Sequence, residues 1–173
     1  MIPRIITDRL ILRGMERADF PAFALIWREP EVVRFIGGAA RSESESWGRF
    51  LSIAGHWMIE GYGQWAITRR SDGIFLGQTG FFKALRGVGA DFDAAPEAGW
   101  VIGTAFHGQG YGREAVIAAH QWFDVQEFGG RSHVMISDGH EVSLKLARDM
   151  GYKAMRKAEI QPGDRVVLMA REV

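Results

Sequence analysis

Three glycines occupy alternate positions in the stretch FHGQGYGREA, residues 106–115, just before an apolar helical pattern. They are Gly108, Gly110 and Gly112, and Arg113 follows them directly. The first backbone N–H groups of a helix lack intrahelical partners, and glycine lets a bulky anion approach them closely. The stretch therefore predicts a phosphate-binding loop. Taken alone, it is equally compatible with a simple turn before a helix and a solvated Arg113.

Two common phosphate motifs are not matched by this loop. No Gly-Lys-Ser or Gly-Lys-Thr sequence occurs, which excludes a Walker A loop. Gly108 and Gly110 fit the start of the dinucleotide fingerprint, but Arg113 stands at the position of its third glycine. That fingerprint also opens a repeated β-α-β unit, which the sequence pattern lacks. A nucleotide-binding oxidoreductase remains a minor alternative.

The composition excludes several classes of function. The 21 basic and 21 acidic residues give no net charge, so nothing favours a nucleic acid or membrane partner. The lack of cysteine excludes disulfides and thiolate catalysis, and the five histidines show no metal-binding spacing, so we expect no metal. No apolar stretch is long enough to span a membrane, and the N-terminus is too charged for a signal peptide. We therefore expect a cytoplasmic protein.

Hydrophobic periodicity predicts the elements that must position the glycine loop. Strands are predicted at 5–13, 64–70, 74–82, 97–103, 133–136 and on both sides of Pro162-Gly163. Helices are predicted after Asp19, over 29–38, from the Ser42/Glu45 capping pair to Gly61, over 113–128 with a stop at Gly129-Gly130, and over 141–150. The stretch 84–96 is predicted to be a loop. This order predicts one α/β domain over residues 1–173, with a mixed sheet flanked by helices.

Several short motifs in the same order resemble the GNAT acetyltransferases, whose acyl-CoA loop reads Q/R-x-x-G-x-G/A. Residues 107–112 match this loop except that His107 replaces its first residue. The wider chain resembles the RimJ/RimL-like branch of ribosomal-protein N-terminal acetyltransferases. That branch has T-x-R-L-x-L-R, E-x-G-[YW], N-x-x-S and [LM]-G-[FY] motifs, which correspond here to residues 7–13, 97–100, 140–143 and 150–152. His140 replaces the usual asparagine of the third motif.

The resemblance implies a GNAT-like acyl-CoA N-acyltransferase fold. Its sheet would be mostly antiparallel, with acetyl-CoA held between splayed parallel central strands at 97–103 and 133–136. It also implies transfer of the acetyl group to a primary amine by direct attack in a ternary complex. The amine would be a peptide N-terminus, an amino acid or another small amine. Exposed final strands make a homodimer an additional expectation.

The resemblance also assigns catalytic roles to two residues. Glu97 is the expected general base, and the alternatives for it are a solvated carboxylate at a strand end or a structural ion pair. Asp91 and Asp93 are alternative bases. Ser143 is expected to hydrogen-bond the CoA sulfur, although it could also be an exposed helix serine. Because Ala147 stands where many members carry a tyrosine acid, a non-catalytic acyl-CoA-binding module is the alternative function.

The cofactor is expected to contact a larger set of residues. The backbone of β-strand 97–103 would pair with the amide groups of pantetheine, and the glycine loop would hold the pyrophosphate. The expected cofactor contacts are Trp100, Val101, Ile102, His107, Gly108, Gln109, Gly110, Tyr111, Gly112, Arg113, His140 and Ser143. The amine is expected from the other side, near Trp27, Phe35, Trp57 and Trp65, most of which we expect in the core.

Overall fold

The computed structural model describes residues 1–128 and 130–172. Gly129, part of the predicted helix stop, and Val173, the end of the predicted last strand, lie outside the described residues. The strands are β1 (Ile5–Ile6), β2 (Leu10–Arg13), β3 (Gln64–Arg69), β4 (Phe75–Phe82), β5 (Glu97–Ile102), β6 (Arg131–Ser137), β7 (Lys153–Gln161) and β8 (Asp164–Glu172). The helices are α1 (Phe20–Ile26), α2 (Pro30–Val33), α3 (Glu43–Glu60), α4 (Ala90–Asp93), α5 (Tyr111–Asp124) and α6 (Glu141–Asp149).

Over the described residues, the strands form one sheet in the order β1-β2-β3-β4-β5-β6-β8-β7. Every neighbouring pair is antiparallel except β5 and β6, which are parallel and are in register at Glu97 and His133. Beyond that pair the two strands separate. The predicted mixed, mostly antiparallel sheet with splayed parallel central strands is confirmed.

Helices cover both faces of the sheet because strand side chains point alternately to opposite sides. Ile67 of β3 belongs to the apolar cluster that contains Ala115 and Phe123 of α5. Its neighbour Ala66 belongs to the cluster that contains Phe23 of α1 and Phe50 of α3. The central gap between β5 and β6 is therefore bordered by α5 and α6 and by the segments around α1 to α3.

Four local predictions differ from the observed elements. The predicted strand 5–13 is a small hairpin, in which the Thr7 N–H donates to the Leu10 carbonyl at 3.0 Å and reverses the chain. The helix predicted over 29–38 is helical only at Pro30–Val33, and Gly37 and Gly38 adopt positive φ angles in the turn that follows.

The other two differences concern the loop 84–96 and the helix after the glycine loop. The loop contains the short helix α4, which buries Phe92 against Val166 and Leu168 of β8. The helix predicted over 113–128 begins at Tyr111 and ends at Asp124. The early start means that the glycine loop leads directly into the first turn of α5.

Candidate functional site

The glycine loop ends at Gly110, which is the N-cap of α5. Gly108 and Gly110 have φ angles of +73° and +81°, a conformation that favours glycine. The N-cap supplies no side-chain hydrogen bond, so the first N–H groups of this 14-residue helix are not capped by a side chain. A Cβ at Gly108 would meet nothing within 4 Å. The loop is therefore open and exposes a helix N-terminus that favours an anion.

The N-terminal hairpin holds this helix start in place, a role that the sequence pattern did not predict. Glu114 in the first turn of α5 accepts hydrogen bonds from the Thr7 hydroxyl at 2.6 Å and from Arg9 Nε at 2.7 Å. Arg9 Nη1 also donates to the Gln109 carbonyl at 2.9 Å. Thr7 and Arg9 belong to the N-terminal motif that carries the family resemblance. That motif was the sequence signal that could have indicated this role.

A cavity of about 520 Å³ lies between the glycine loop, β5 and α6. Its wall includes all of the expected cofactor residues except Gln109 and Tyr111. The Gln109 side chain instead donates to the Ala105 carbonyl at 3.0 Å. The Arg9 guanidinium lies over the Tyr111 ring, 4.7 Å from its centre. We call this space the cofactor-side cavity.

The edge of β5 that faces the cofactor-side cavity carries backbone groups suited to an extended ligand. The Gly103 N–H donates to the Leu76 carbonyl at the β4 side, whereas the Pro96 carbonyl accepts from the His133 N–H at the β6 side. Since backbone groups alternate along a strand, those of Trp100 and Ile102 face the gap. His107 Nε2 donates to the Ile102 carbonyl at 2.8 Å. The backbone of Trp100 is therefore the part of this edge best placed to pair with a ligand.

Three side chains beside the gap between β5 and β6 are connected through their polar atoms. Trp100 Nε1 donates to Ser143 Oγ at 3.3 Å, and Ser143 Oγ lies 3.4 Å from His140 Nε2. The His140 ring stacks on Phe35 with centres 4.0 Å apart. Burial, with a smaller effect of Arg34 and His107, lowers the pKa of His140, so its imidazole is neutral at neutral pH. Ser143 is buried, which rules out the exposed-serine alternative.

A second cavity of about 310 Å³ lies along β5 and β6 and reaches the β7–β8 hairpin. It shares part of its wall with the cofactor-side cavity, and the shared residues are Ile36, Trp100, Val101, His140 and Ser143. Of the four expected aromatic residues, Trp27 and Phe35 line it, while Trp57 and Trp65 lie in the core. We call this second space the amine-side cavity.

Glu97 lies on the wall of the amine-side cavity and is 4 % exposed. Its two carboxylate oxygens accept hydrogen bonds from Arg86 Nε at 2.6 Å and Arg86 Nη2 at 2.7 Å. Burial raises the pKa of the Glu97 carboxyl, and Arg86 acts in the opposite direction. The solvated-carboxylate alternative is therefore wrong, whereas the ion-pair alternative describes the observed contact. The ion pair itself faces the cavity.

The two alternative bases lie outside both cavities, and the position where many family members carry a tyrosine acid lies in the core. Asp91 pairs with Arg156 at 2.9 Å, and Asp93 accepts from the Arg86 N–H at 3.0 Å; neither lines either cavity. Ala147 is fully buried in the core.

Tyr152 also lines neither cavity. Its hydroxyl lies 2.7 Å from Ser132 Oγ and 3.0 Å from His120 Nε2, and burial raises its pKa. Ser143 is therefore the side-chain hydroxyl that both cavities share.

The described residues contain no group of three or more side chains arranged to hold a metal ion. Within the same part of the chain, no helix combines the length and apolar character needed to cross a membrane.

Comparison with known proteins identifies relatives of this architecture. Residues 9–153 match the acetyltransferase (GNAT) domain model. The fold is similar to that of a protein described as a GNAT-family acetyltransferase from Bordetella pertussis, with a TM-score of 0.87, 27 % identity and coverage of 98 % of this chain and 99 % of that one. An acetyltransferase from Agrobacterium tumefaciens gives a TM-score of 0.85 and 24 % identity, with coverage of 100 % and 96 %.

A third structure adds a bound ligand. RimL, a ribosomal L7/L12 alpha-N-protein acetyltransferase in complex with coenzyme A, gives a TM-score of 0.80 and 18 % identity. The alignment covers 99 % of this chain and 98 % of that one. At this level of identity the likeness concerns the fold.

Proposed function

We propose, from the premise that this chain belongs to the GNAT acetyltransferase family, that it transfers the acetyl group of acetyl-CoA to a primary amine. Transfer would occur by direct attack of the amine within a ternary complex. The observation that carries the proposal is the meeting of two cavities at Trp100, His140 and Ser143, between the splayed strands β5 and β6. A cofactor on one side and an amine on the other would bring their reacting atoms together there.

The cofactor-side cavity fits the chemistry of acetyl-CoA. The uncapped first turn of α5 and the exposed Arg113 would bind the pyrophosphate, and Gly108 and Gly110 leave room for it. The Trp100 backbone would pair with an amide of pantetheine. When bound, acetyl-CoA supplies the activated acyl group as a thioester. Gln109 and Tyr111 would contribute through their backbone, because their side chains are engaged outside the cavity.

The proposed roles of the catalytic residues follow from their positions. Glu97 would remove a proton from the amine through a water molecule, and its burial raises its pKa toward the range useful for a general base. Arg86 would hold the carboxylate in place. Ser143, held between Trp100 and His140, would donate a hydrogen bond to the sulfur as the thiol forms. His140 would hydrogen-bond pantetheine or water in place of the usual asparagine.

Thiol detection with a panel of primary amines tests this proposal, combined with thermal unfolding in the presence of acetyl-CoA. We expect acetyl-CoA to raise the melting temperature and at least one amine to cause amine-dependent thiol release. Stabilisation without thiol release from any amine would favour the alternative, a non-catalytic acyl-CoA-binding module. That alternative is suggested by Ala147 and His140, which depart from the residues usual in the family. A lack of stabilisation by both acetyl-CoA and CoA would contradict both functions.

Several broader expectations are part of the same proposal. The acceptor would be a peptide N-terminus, an amino acid or another small amine, without nucleic acid or membrane partners. A homodimer would use the sheet edge at β7, whose residues are mostly exposed. Residues 1–173 would act as one catalytic domain in the cytoplasm.

A further inference from the structure

Two arginines that lie close to one another line the amine-side cavity. Arg49 projects from α3, and Arg41 lies just before that helix. Both guanidinium groups lie over the ring of Trp27, at 4.8 Å from its centre for Arg41 and 4.7 Å for Arg49. All three residues line the cavity. The face of an aromatic ring favours a cation, and two cations lie over this one ring.

Both arginines are partly buried. In residues 1–128 and 130–172, the Nε atoms of Arg41 and Arg49 are buried and have no hydrogen-bond partner. Burial, together with the positive charges of Arg41 and Arg86, lowers the pKa of Arg49 to about 10. A buried N–H donor without a partner is costly, and an oxyanion is a natural complement of a guanidinium group.

The other charged groups on the cavity wall supply only part of that complement, because the Glu97 charge acts on Arg49 while both Glu97 oxygens accept hydrogen bonds from Arg86. Arg86 is the third arginine, and its charge is matched by Glu97 in a bidentate pair. The remaining acidic residue is Asp164, which lies in the hairpin at the start of β8. The part of the wall formed by Arg41 and Arg49 therefore carries excess positive charge, and the same cavity is also lined by the shared residues His140 and Ser143.

We infer that the acceptor amine carries an oxyanion, either a carboxylate or a phosphate ester, and that Arg41 and Arg49 bind it while the amine points toward the thioester. This inference rests on the proposed amine acetylation and narrows its substrate class. Free amino acids and peptides with an anionic group near the N-terminus belong to this class. The cavity volume of about 310 Å³ suits a small molecule or the first residues of a peptide.

Matched pairs of acceptors test the inference. The probes are glycine with glycinamide, and dipeptide amides whose second residue is aspartate, phosphoserine or asparagine. We expect the preferred anionic member to exceed its neutral partner in kcat/KM by about tenfold or more, because charge-assisted hydrogen bonds are strong. The comparison of the aspartate and phosphoserine dipeptide amides shows whether a carboxylate or a phosphate ester is preferred. The inference is overturned if no anionic acceptor is preferred.

Arginine variants test whether Arg41 and Arg49 cause the preference for anionic acceptors. We expect Arg49→Gln and Arg41→Gln to bring the ratio of anionic to neutral acceptors close to one, and Arg49→Lys to retain part of it. The matched control is Arg17→Gln, since the Arg17 guanidinium also lies over a tryptophan ring, 5.4 Å from Trp47, but outside the cavity. The control should keep the wild-type ratio. Equal loss in the control would overturn the assignment to Arg41 and Arg49.

A binding measurement separates this inference from the proposed function. N-acetylaspartate and its diamide are titrated against the CoA-saturated protein by calorimetry, with circular dichroism to verify that each variant is folded. Binding of the acid alone, lost in Arg49→Gln, supports the inference even if no acetyl transfer is found. Acetylation of neutral and anionic amines at equal rates would support transfer and overturn the anionic specificity.

Discussion

The two cavities that meet between β5 and β6 are built in different ways. The cofactor-side cavity is made largely by one continuous segment, from the edge of β5 through the glycine loop into α5, with α6 beside it. The amine-side cavity takes its charged wall from separate segments, with Arg41 and Arg49 near α3, Arg86 before α4 and Glu97 on β5. The first includes the uncapped backbone N–H groups at the start of α5, whereas the second carries several charged side chains.

This difference explains why the glycine loop had a clear local signal in the sequence, whereas the two arginines of the amine-side cavity had none. Backbone recognition of an anion needs glycines and a helix start next to each other in the chain, so it leaves a local pattern. Recognition by side chains needs only that they meet in space. An arginine in a helix such as α3 has the same sequence pattern whether it faces water or a cavity.

The largest expected effect concerns the base on the amine side. Glu97→Gln should lower the rate of acetyl transfer by about 100-fold or more, because it removes the proposed proton acceptor. Stabilisation by acetyl-CoA should be retained, since Glu97 does not line the cofactor-side cavity. Steady-state kinetics and thermal unfolding measure the two effects separately.

The control for Glu97 is an ion pair of similar geometry outside both cavities. Arg171 donates to the two oxygens of Asp124 at 2.6 and 2.7 Å. Asp124→Asn should cost about 1–3 kcal/mol of stability while the transfer rate changes little. If both variants slow transfer equally, Glu97 acts through structure and not as the base.

A smaller effect is expected at the proposed phosphate site. Arg113→Gln should raise the Kd of CoA by about fivefold, because an exposed arginine contributes one charge-assisted contact to an anion. High salt should reduce the difference, since the contact is screened. Arg131→Gln is the control, because Arg131 is exposed and lies outside both cavities. Unchanged CoA affinity in Arg113→Gln would place the pyrophosphate elsewhere.

The smallest expected effect concerns His140, which belongs to both cavities. Its folded-state pKa lies below the ordinary value of 6.5, so the unfolded chain binds the proton more readily. As the pH falls through 6.5, the wild type should therefore lose stability relative to His140→Asn. Urea midpoints of the two proteins across this pH range measure the difference. Parallel curves would show that the His140 imidazole is not shielded from water.

Much of the fold was predictable because its signals are local. The Ser42/Glu45 capping box, the hairpin turn at Asp72-Gly73 and the glycine loop each mark an element boundary within a few residues. The hairpin at 5–13 was missed because its turn interrupts a β-rich stretch without glycine or proline. Helix α4 was missed because a single turn is stabilised mainly by the burial of Phe92, a tertiary contact.

The sequence by itself determined the order of most elements, the family resemblance and the glycine-rich start of α5. Only the tertiary structure decided that Glu97 pairs with Arg86, that Ser143 is buried between Trp100 and His140, and that two arginines share Trp27. The physical reason is the separation along the chain of the residues that each interaction needs. Helix starts and turns depend on neighbouring residues, whereas burial, ion pairing and pKa shifts depend on groups brought together from distant parts of the chain.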